Sequence, residues 1–378
     1  MHYAALHIPL LPTLIAATMT LGPSASASGD AREPPQAPAP TQKSDVGLAL
    51  ELPAPTGPLP VGARAVFLAD PSRVEPDTGG ARILPLRVWY PARATAGASP
   101  ARYASRLVQP VIEASLGLPP DSLDLNVNAF EDACMRRGFR GVILASAGYQ
   151  EPAAFQTGHV IDLASRGWVV VTIDHPHDTG VVEQPDGSLI FGELTSDEGF
   201  EPRVADVGVV LQHLAELVPG WRSGVPVGMF GHSLGGSAAA EAVLRYPELQ
   251  AGVDLDGSIR GPVFEAGLDK PFGGMLSTIR RLDNVDDGID AWFAGLAGPH
   301  RLVQLDDVYH DGFSDFVVFN PQAQAFDPAL GALLESQLRT DVGSVAAGAS
   351  SLAEQRRFLA SFFARYLTPE PSDAPIGR

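Results

Sequence analysis

The stretch VGMFGHSLGGSAAAEAV, residues 227–243, admits few folds. An apolar run of strand character reaches Gly231, His232 and Ser233, then two more glycines, then an alanine-rich run of helical character. A strand that turns sharply into a helix accommodates this order. Gly231, Gly235 and Gly236 remove side chains where strand and helix approach, and the serine at the apex takes a strained backbone. The helix starts at that serine, so its first N–H groups point toward the apex, where a negative charge would be held. In a chain with 39 glycines, Gly-x-Ser-x-Gly alone is a weak signal. The flanking strand and helix give it weight over a plain turn with a surface serine.

The rest of the chain supplies a frame for such a turn. Short, continuously apolar, β-branched runs recur at 81–91, 140–148, 167–176, 226–233, 251–257 and 300–310. Continuous rather than alternating apolar character suits strands covered on both faces. Helical spacing lies between them at 153–167, 201–218 and 233–247, and again at 353–367, where Phe358, Phe362 and Leu367 share a stripe. The alternation predicts an α/β fold with a mostly parallel central sheet flanked by helices over residues 46–368. Sites on such sheets lie at the carboxyl ends of the strands. The mixed stretch 102–132 fits a lid over the site or helical padding equally well.

The termini read differently. Residues 4–21 are apolar with no acidic or basic side chain, and Ala25-Ser26-Ala27 offers a small-x-small cleavage site, so 1–27 reads as an export signal. The run lacks a preceding Lys or Arg, and Pro9 and Pro12 weaken the competing reading as a membrane anchor. Residues 28–45 read as a Pro/Ala-rich disordered linker and 369–378 as a disordered tail. The expected location is therefore secreted or periplasmic, with no stable membrane insertion after cleavage. A net charge of −18 argues against nucleic-acid partners. Cys134 is the only cysteine, which excludes an intramolecular disulfide; in NAFEDACMRRG it reads as a small buried residue on a helical segment. The sequence carries no sign of oligomeric state.

A serine nucleophile needs a base, and the base an orienting acid. After Ser233 the histidines are His300 and His310. His300 precedes a strand, at the wrong end of the sheet, while His310 follows it beside turn residues; His310 is favoured. For the acid, Asp254 and Asp256 lie on one face of a strand, and Asp256 is nearer its end, so Asp256 is favoured and Asp254 is the alternative. Asp306 and Asp307 read as turn residues. Oxyanion donors are expected at the N–H of Leu234 and, from the loop LASAGYQEP after an earlier strand, of Tyr149.

Other signals are weaker. His175 and His177, with Asp174 or Asp178, offer metal ligands but lack a fourth partner, and read as loop residues rimming the site. LDNVDDGID at 282–290 fails the EF-hand calcium pattern, with Val285 and Ala294 at ligand positions, and reads as a solvated acidic loop. No metal is assigned.

Taken together, GHSLGG around Ser233, LDGS around Asp256, VYHDGFSDF around His310, the run ASAGYQEPAAFQTGHVIDLASRGWVVVTIDHPHDTG, and the opening LPAPTGPLPVGARAVFLADPSR with RVWYPA resemble the α/β-hydrolase superfamily. More narrowly they resemble the plasma-type platelet-activating-factor acetylhydrolase family and its bacterial dienelactone-hydrolase-like and lipase-like relatives. The resemblance spans 46–368. It implies a serine ester hydrolase with Ser233 as nucleophile, His310 as base, Asp256 as orienter, Tyr149 and Leu234 as oxyanion donors, and no cofactor. It also implies small-molecule or lipid ester substrates with short acyl chains, including short sn-2 phospholipids, the alternatives being a general carboxylesterase, lipase or polyester hydrolase, or a non-catalytic binding protein. The chain departs from the animal enzymes in reading SAGY where they carry His before Gly, and Leu234 where they carry Phe. Their membrane-docking helices have no counterpart to place here.

Overall fold

The computed structural model describes residues 48–93, 97–278, 288–338 and 348–367. The expected signal, linker and tail lie outside the described residues, as does most of the acidic stretch 282–290.

Eleven strands are present among the described residues: β1 (Val61–Val74), β2 (Ala81–Pro91), β3 (Ala129–Glu131), β4 (Val142–Ser146), β5 (Val169–Ile173), β6 (Val181–Glu183), β7 (Leu189–Phe191), β8 (Val227–His232), β9 (Leu249–Leu255), β10 (Phe272–Leu276) and β11 (His300–Gln304). Nine form one sheet in the order β11-β10-β9-β8-β4-β5-β2-β1-β3, while β6 and β7 form a separate hairpin. From β11 to β5 every pairing is parallel; β2 joins β5 and β1 antiparallel. The chain leaves β4 toward β5, then crosses back to lay β8 on the other flank of β4. That reversal opens a crevice at the carboxyl ends of β4 and β8, where α/β sheets hold their ligands.

The helices are α1 (Val108–Ser115), α2 (Thr157–Ser165), α3 (Ser196–Gln212), α4 (Leu214–Leu217), α5 (Leu234–Arg245), α6 (Pro262–Ala266), α7 (Ile289–Ala294), α8 (Phe316–Phe326), α9 (Pro328–Leu338) and α10 (Gly348–Tyr366). Period-two side-chain alternation sorts the central strands between two cores. Ile143, Val170, Phe230 and Val253 face α2 and α10, meeting Val160, Ile161, Leu359 and Phe363. Val142, Leu144, Val171 and Met229 face α3 and α5, meeting Val204, Val207, Ala239 and Val243. Both faces are covered, which is why these strands read as unbroken apolar runs. Among the described residues no helix is long and apolar enough to cross a membrane.

One expectation fails here, and one open alternative narrows. Cys134 is exposed and its segment is not helical; β3 and an irregular stretch occupy it. The stretch 102–132 packs as structure, with Val108, Ile112 and Leu116 in the core and β3 pairing with β1.

Candidate active site

Ser233 sits between β8 and α5 with φ 52° and ψ −120°, a left-handed backbone that a residue with a Cβ adopts only when its surroundings enforce it. The neighbouring glycines enforce it. A Cβ on Gly231 would stand 2.2 Å from the Gly235 backbone, and one on Gly235 would stand 2.1 Å from the Ser146 carbonyl oxygen. The helix thus descends against β4 with no room for side chains, lifting the serine to the crevice. Leu234 is the first residue of α5, so its N–H lacks an acceptor within the helix.

The structure brings Ser233, His310 and Asp256 together. The Ser233 hydroxyl lies 2.8 Å from His310 Nε2. His310 Nδ1 lies 2.6 Å from Asp256 Oδ2. His310 heads a 3-10 turn, His310–Phe313, after β11, while His300 opens β11 at the opposite end and its Nδ1 meets the Gly298 carbonyl. Asp256 is 1% exposed, has φ 59°, and accepts the Ser277 N–H on its other oxygen at 2.7 Å. Asp254 instead turns under α5, accepting the Gly257 N–H at 2.7 Å; a Cβ on Gly236 would lie 1.8 Å from its Oδ1. The two aspartates on one strand therefore divide: the second reaches the imidazole and the first packs beneath the elbow. Asp307 lies in a turn with φ 58°.

Tyr149 lies in the loop following β4. Its hydroxyl donates to the Leu194 carbonyl at 2.8 Å, which holds the ring away from free rotation in the crevice. The loop is clamped by residues that the sequence reading did not single out. Arg203, on α3 and 1% exposed, donates to the carbonyls of Ala147 and Gly148 and to Ser146 Oγ, and pairs with Asp178 at 2.6 and 3.0 Å. A capping box starts α3 at Thr195, with Glu198 accepting the Thr195 N–H, six residues before the expected start at 201.

Glu151 and His232 clamp the other side. Glu151 Oε2 accepts the Gly148 N–H at 2.9 Å and lies 2.9 Å from His232 Nδ1. His232 Nε2–H donates to the His310 carbonyl at 2.9 Å, and the two imidazole rings are 4.8 Å apart. Burial disfavours charge on His232, but the carboxylate of Glu151, with lesser contributions from Asp311 and Asp256, overrides it and pushes its pKa up to about 9. Glu151, despite burial, is held below the usual range by the same pair. One buried ion pair thus ties the loop after β4, the elbow and the His310 turn together.

A histidine pKa raised from 6.5 stabilises fully below about pH 6.5, and the contribution is lost as pH rises through about 9. Thermal unfolding at pH 8 and pH 10 should therefore show a larger drop in Tm for the wild type than for Glu151→Gln, which lacks the pair and starts less stable at pH 8. Parallel curves would contradict the assignment.

His175 and His177 do not rim the crevice; they are 1% and 4% exposed. His175 bridges Asp206 Oδ2 at 2.8 Å and Ser146 Oγ at 3.0 Å, a second Ser–His–Asp array in distance alone. Ser146 is fully buried inside β4 and receives a bond from Arg203, so no substrate reaches it. Backbone strain and access, rather than spacing, distinguish Ser233 from Ser146.

No family model matches the chain. A stretch of 134 residues is 34% identical to a protein of Arthroderma benhamiae named "probable 1-alkyl-2-acetylglycerophosphocholine esterase"; it makes up 34% of this chain and 34% of that relative, so the match spans about a third of the relative's length. The ferulic acid esterase of Streptomyces cinnamoneus superposes with a TM-score of 0.70 at 25% identity, over 87% of this chain and 96% of that one. A dienelactone hydrolase of Anabaena variabilis aligns with a TM-score of 0.41 at 15% identity, over 81% and 99%. The strand order with its reversal at β4 and the superposition on the Streptomyces enzyme along nearly its whole length agree, and the chain has the α/β-hydrolase fold.

Proposed function

We propose that the chain is a secreted serine ester hydrolase that works through an acyl-enzyme on short-chain acyl esters, including phospholipids with a short sn-2 chain. The observation that carries the reading is the continuous contact from Asp256 to His310 to a strained, accessible Ser233. In this mechanism Asp256 holds Nδ1–H, which leaves the Nε2 lone pair to take the Ser233 proton as the oxygen attacks the ester carbonyl. The N–H groups of Leu234 and Tyr149 receive the oxyanion, at the start of a helix whose dipole favours negative charge there. His310 then protonates the leaving alkoxide, and water attacks the acyl-enzyme with His310 again as base. None of these steps draws on a cofactor. Secretion rests on the composition of residues 4–27, and N-terminal sequencing of the protein recovered outside the cell tests it.

The phospholipid preference draws on the Arthroderma relative, named for a glycerophosphocholine ester, over a third of the chain. A carboxylesterase without phospholipid preference is the second reading, favoured by the far wider superposition on a ferulic acid esterase. A panel of acetyl, butyryl and long-chain p-nitrophenyl esters, an sn-2 acetyl glycerophosphocholine and methyl ferulate separates them. The proposal expects acetyl and butyryl esters to exceed long-chain esters in kcat/KM, with the short phospholipid turned over comparably. Phospholipid turnover absent beside rapid hydrolysis of soluble esters would select the second reading.

A further inference from the structure

The turn after β1 and the loop after β5 meet at three side chains that suit a metal ion. Glu75, Asp77 and His177 each offer a ligand atom, and these atoms lie within 4.8 Å of one another. The turn is preorganised: Glu75 N–H donates to the Gly80 carbonyl at 2.8 Å, and Gly79 N–H returns to the Glu75 carbonyl at 2.9 Å. His177 is held in the left-handed region, φ 66°, with its carbonyl accepting from the N–H groups of Glu193 and Leu194 at 2.9 and 3.0 Å. Its ring cannot swing away cheaply, because it is 4% exposed.

The hydrogen bonding around the ring points to a cation. Nδ1 lies 3.0 Å from Glu193 Oε1, and Nε2 makes a short hydrogen bond with Glu75 Oε1, so the ring is held between two carboxylates. In the metal-free state a proton bridges Nε2 and Glu75 Oε1, and a metal ion would take its place. A proton would satisfy that one contact. It would leave Glu75 Oε2, a buried oxygen on a residue 3% exposed, without a hydrogen-bond partner among the described residues. A buried carboxylate oxygen without a donor is costly. A divalent cation in place of that proton would take Nε2 and Glu75 as ligands and reach Asp77 from the solvent side. Glu193 then plays the part that a carboxylate commonly plays behind a metal-bound imidazole, fixing its tautomer and orientation.

We propose that Glu75, Asp77 and His177 form a structural site for a divalent first-row cation of the zinc type. One imidazole nitrogen with two carboxylates favours such an ion over Mg²⁺ and Ca²⁺, which prefer all-oxygen shells. The site bolts the β1–β2 turn to the loop that carries Asp178, the ion-pair partner of Arg203, and Gly180, whose N–H bonds the Gln150 carbonyl at 3.0 Å. It would thus brace the loop bearing Tyr149 from behind, with no part in bond breaking. The sequence reading weighed His177 only against Asp174 and Asp178, because the actual carboxylates lie about a hundred positions upstream.

The test is isothermal titration of the EDTA-treated, dialysed full chain with ZnCl₂ and, separately, MgCl₂, with Tm followed in parallel. The proposal expects one Zn²⁺ per chain at micromolar Kd or tighter, a Tm rise of several degrees, and no response to Mg²⁺. Asp77 is exposed, so Asp77→Asn should fold normally and weaken Zn²⁺ binding at least tenfold. His177→Gln should abolish it. Absence of Zn²⁺ binding would overturn the proposal. So would binding unchanged in Asp77→Asn, which assigns the ion to another surface.

Discussion

Ser233→Ala should fold with an unchanged Tm to within about 2 °C and lose about 10⁴- to 10⁶-fold in kcat for a short p-nitrophenyl ester. The size follows from how the site is built. Without the hydroxyl, His310 has a lone pair and no nucleophile to activate, so water must attack directly with only oxyanion donors and binding to help. The neutral effect on stability follows from position: the serine hydroxyl is partly exposed in the crevice, and alanine keeps the Cβ that the strained backbone already accommodates. Retention of more than a tenth of the wild-type turnover in a pure preparation would remove Ser233 from the mechanism.

Asp256→Asn should lower kcat by about 10⁴-fold while KM stays within a few-fold. An amide in place of Oδ2 offers an N–H to Nδ1, which turns the imidazole to the wrong tautomer and takes away the lone pair facing Ser233. Asp254→Asn is the control. Asp254 accepts the Gly257 N–H beneath α5 and makes no bond to His310, so its change should cost stability more than turnover. The opposite ranking in steady-state assays would exchange the two roles.

Much of this was readable in the chain, and the unread parts have identifiable causes. β2 coincides with the apolar run 81–91, and α5 begins at the residue after Ser233, because both are set by local pattern. β10 escaped notice because FGGML looks like a turn. Its glycines answer a packing need instead: a Cβ on Gly274 would lie 2.5 Å from the Phe293 ring, and one on Gly273 would lie 3.0 Å from that of Phe362. β1 escaped because Arg64, Asp70, Pro71 and Arg73 break its apolar character, as befits a strand near the sheet edge. Cys134 was misread because NAFEDACMRRG has helical composition but is drawn out as β3 along β1.

At the site, chain order and strand ends pointed to Ser233 and His310, and the fold places Asp256, with Asp254 packed beneath the elbow, against the His310 imidazole. Arg203, Glu151 and His232 had no local signature as a clamp. Arg203 meets the Ala147 carbonyl across 56 positions, and Glu151 meets His232 across 81, so only the sheet reversal at β4 brings them together. They are ordinary charged residues in the sequence and become a brace for the loop after β4 only in the fold. Their burial is affordable because each charge is paired: Arg203 with Asp178, His232 with Glu151.

The proposed mechanism turns on Ser233 as the site of the covalent acyl-enzyme. Incubation with a fluorophosphonate probe, followed by intact-mass and peptide mass spectrometry, tests it most directly. One adduct per chain is expected, located on Ser233, with hydrolysis lost in step and no adduct on Ser233→Ala. Continued hydrolysis by the fully labelled chain, or labelling of a different residue with parallel loss of activity, would contradict it.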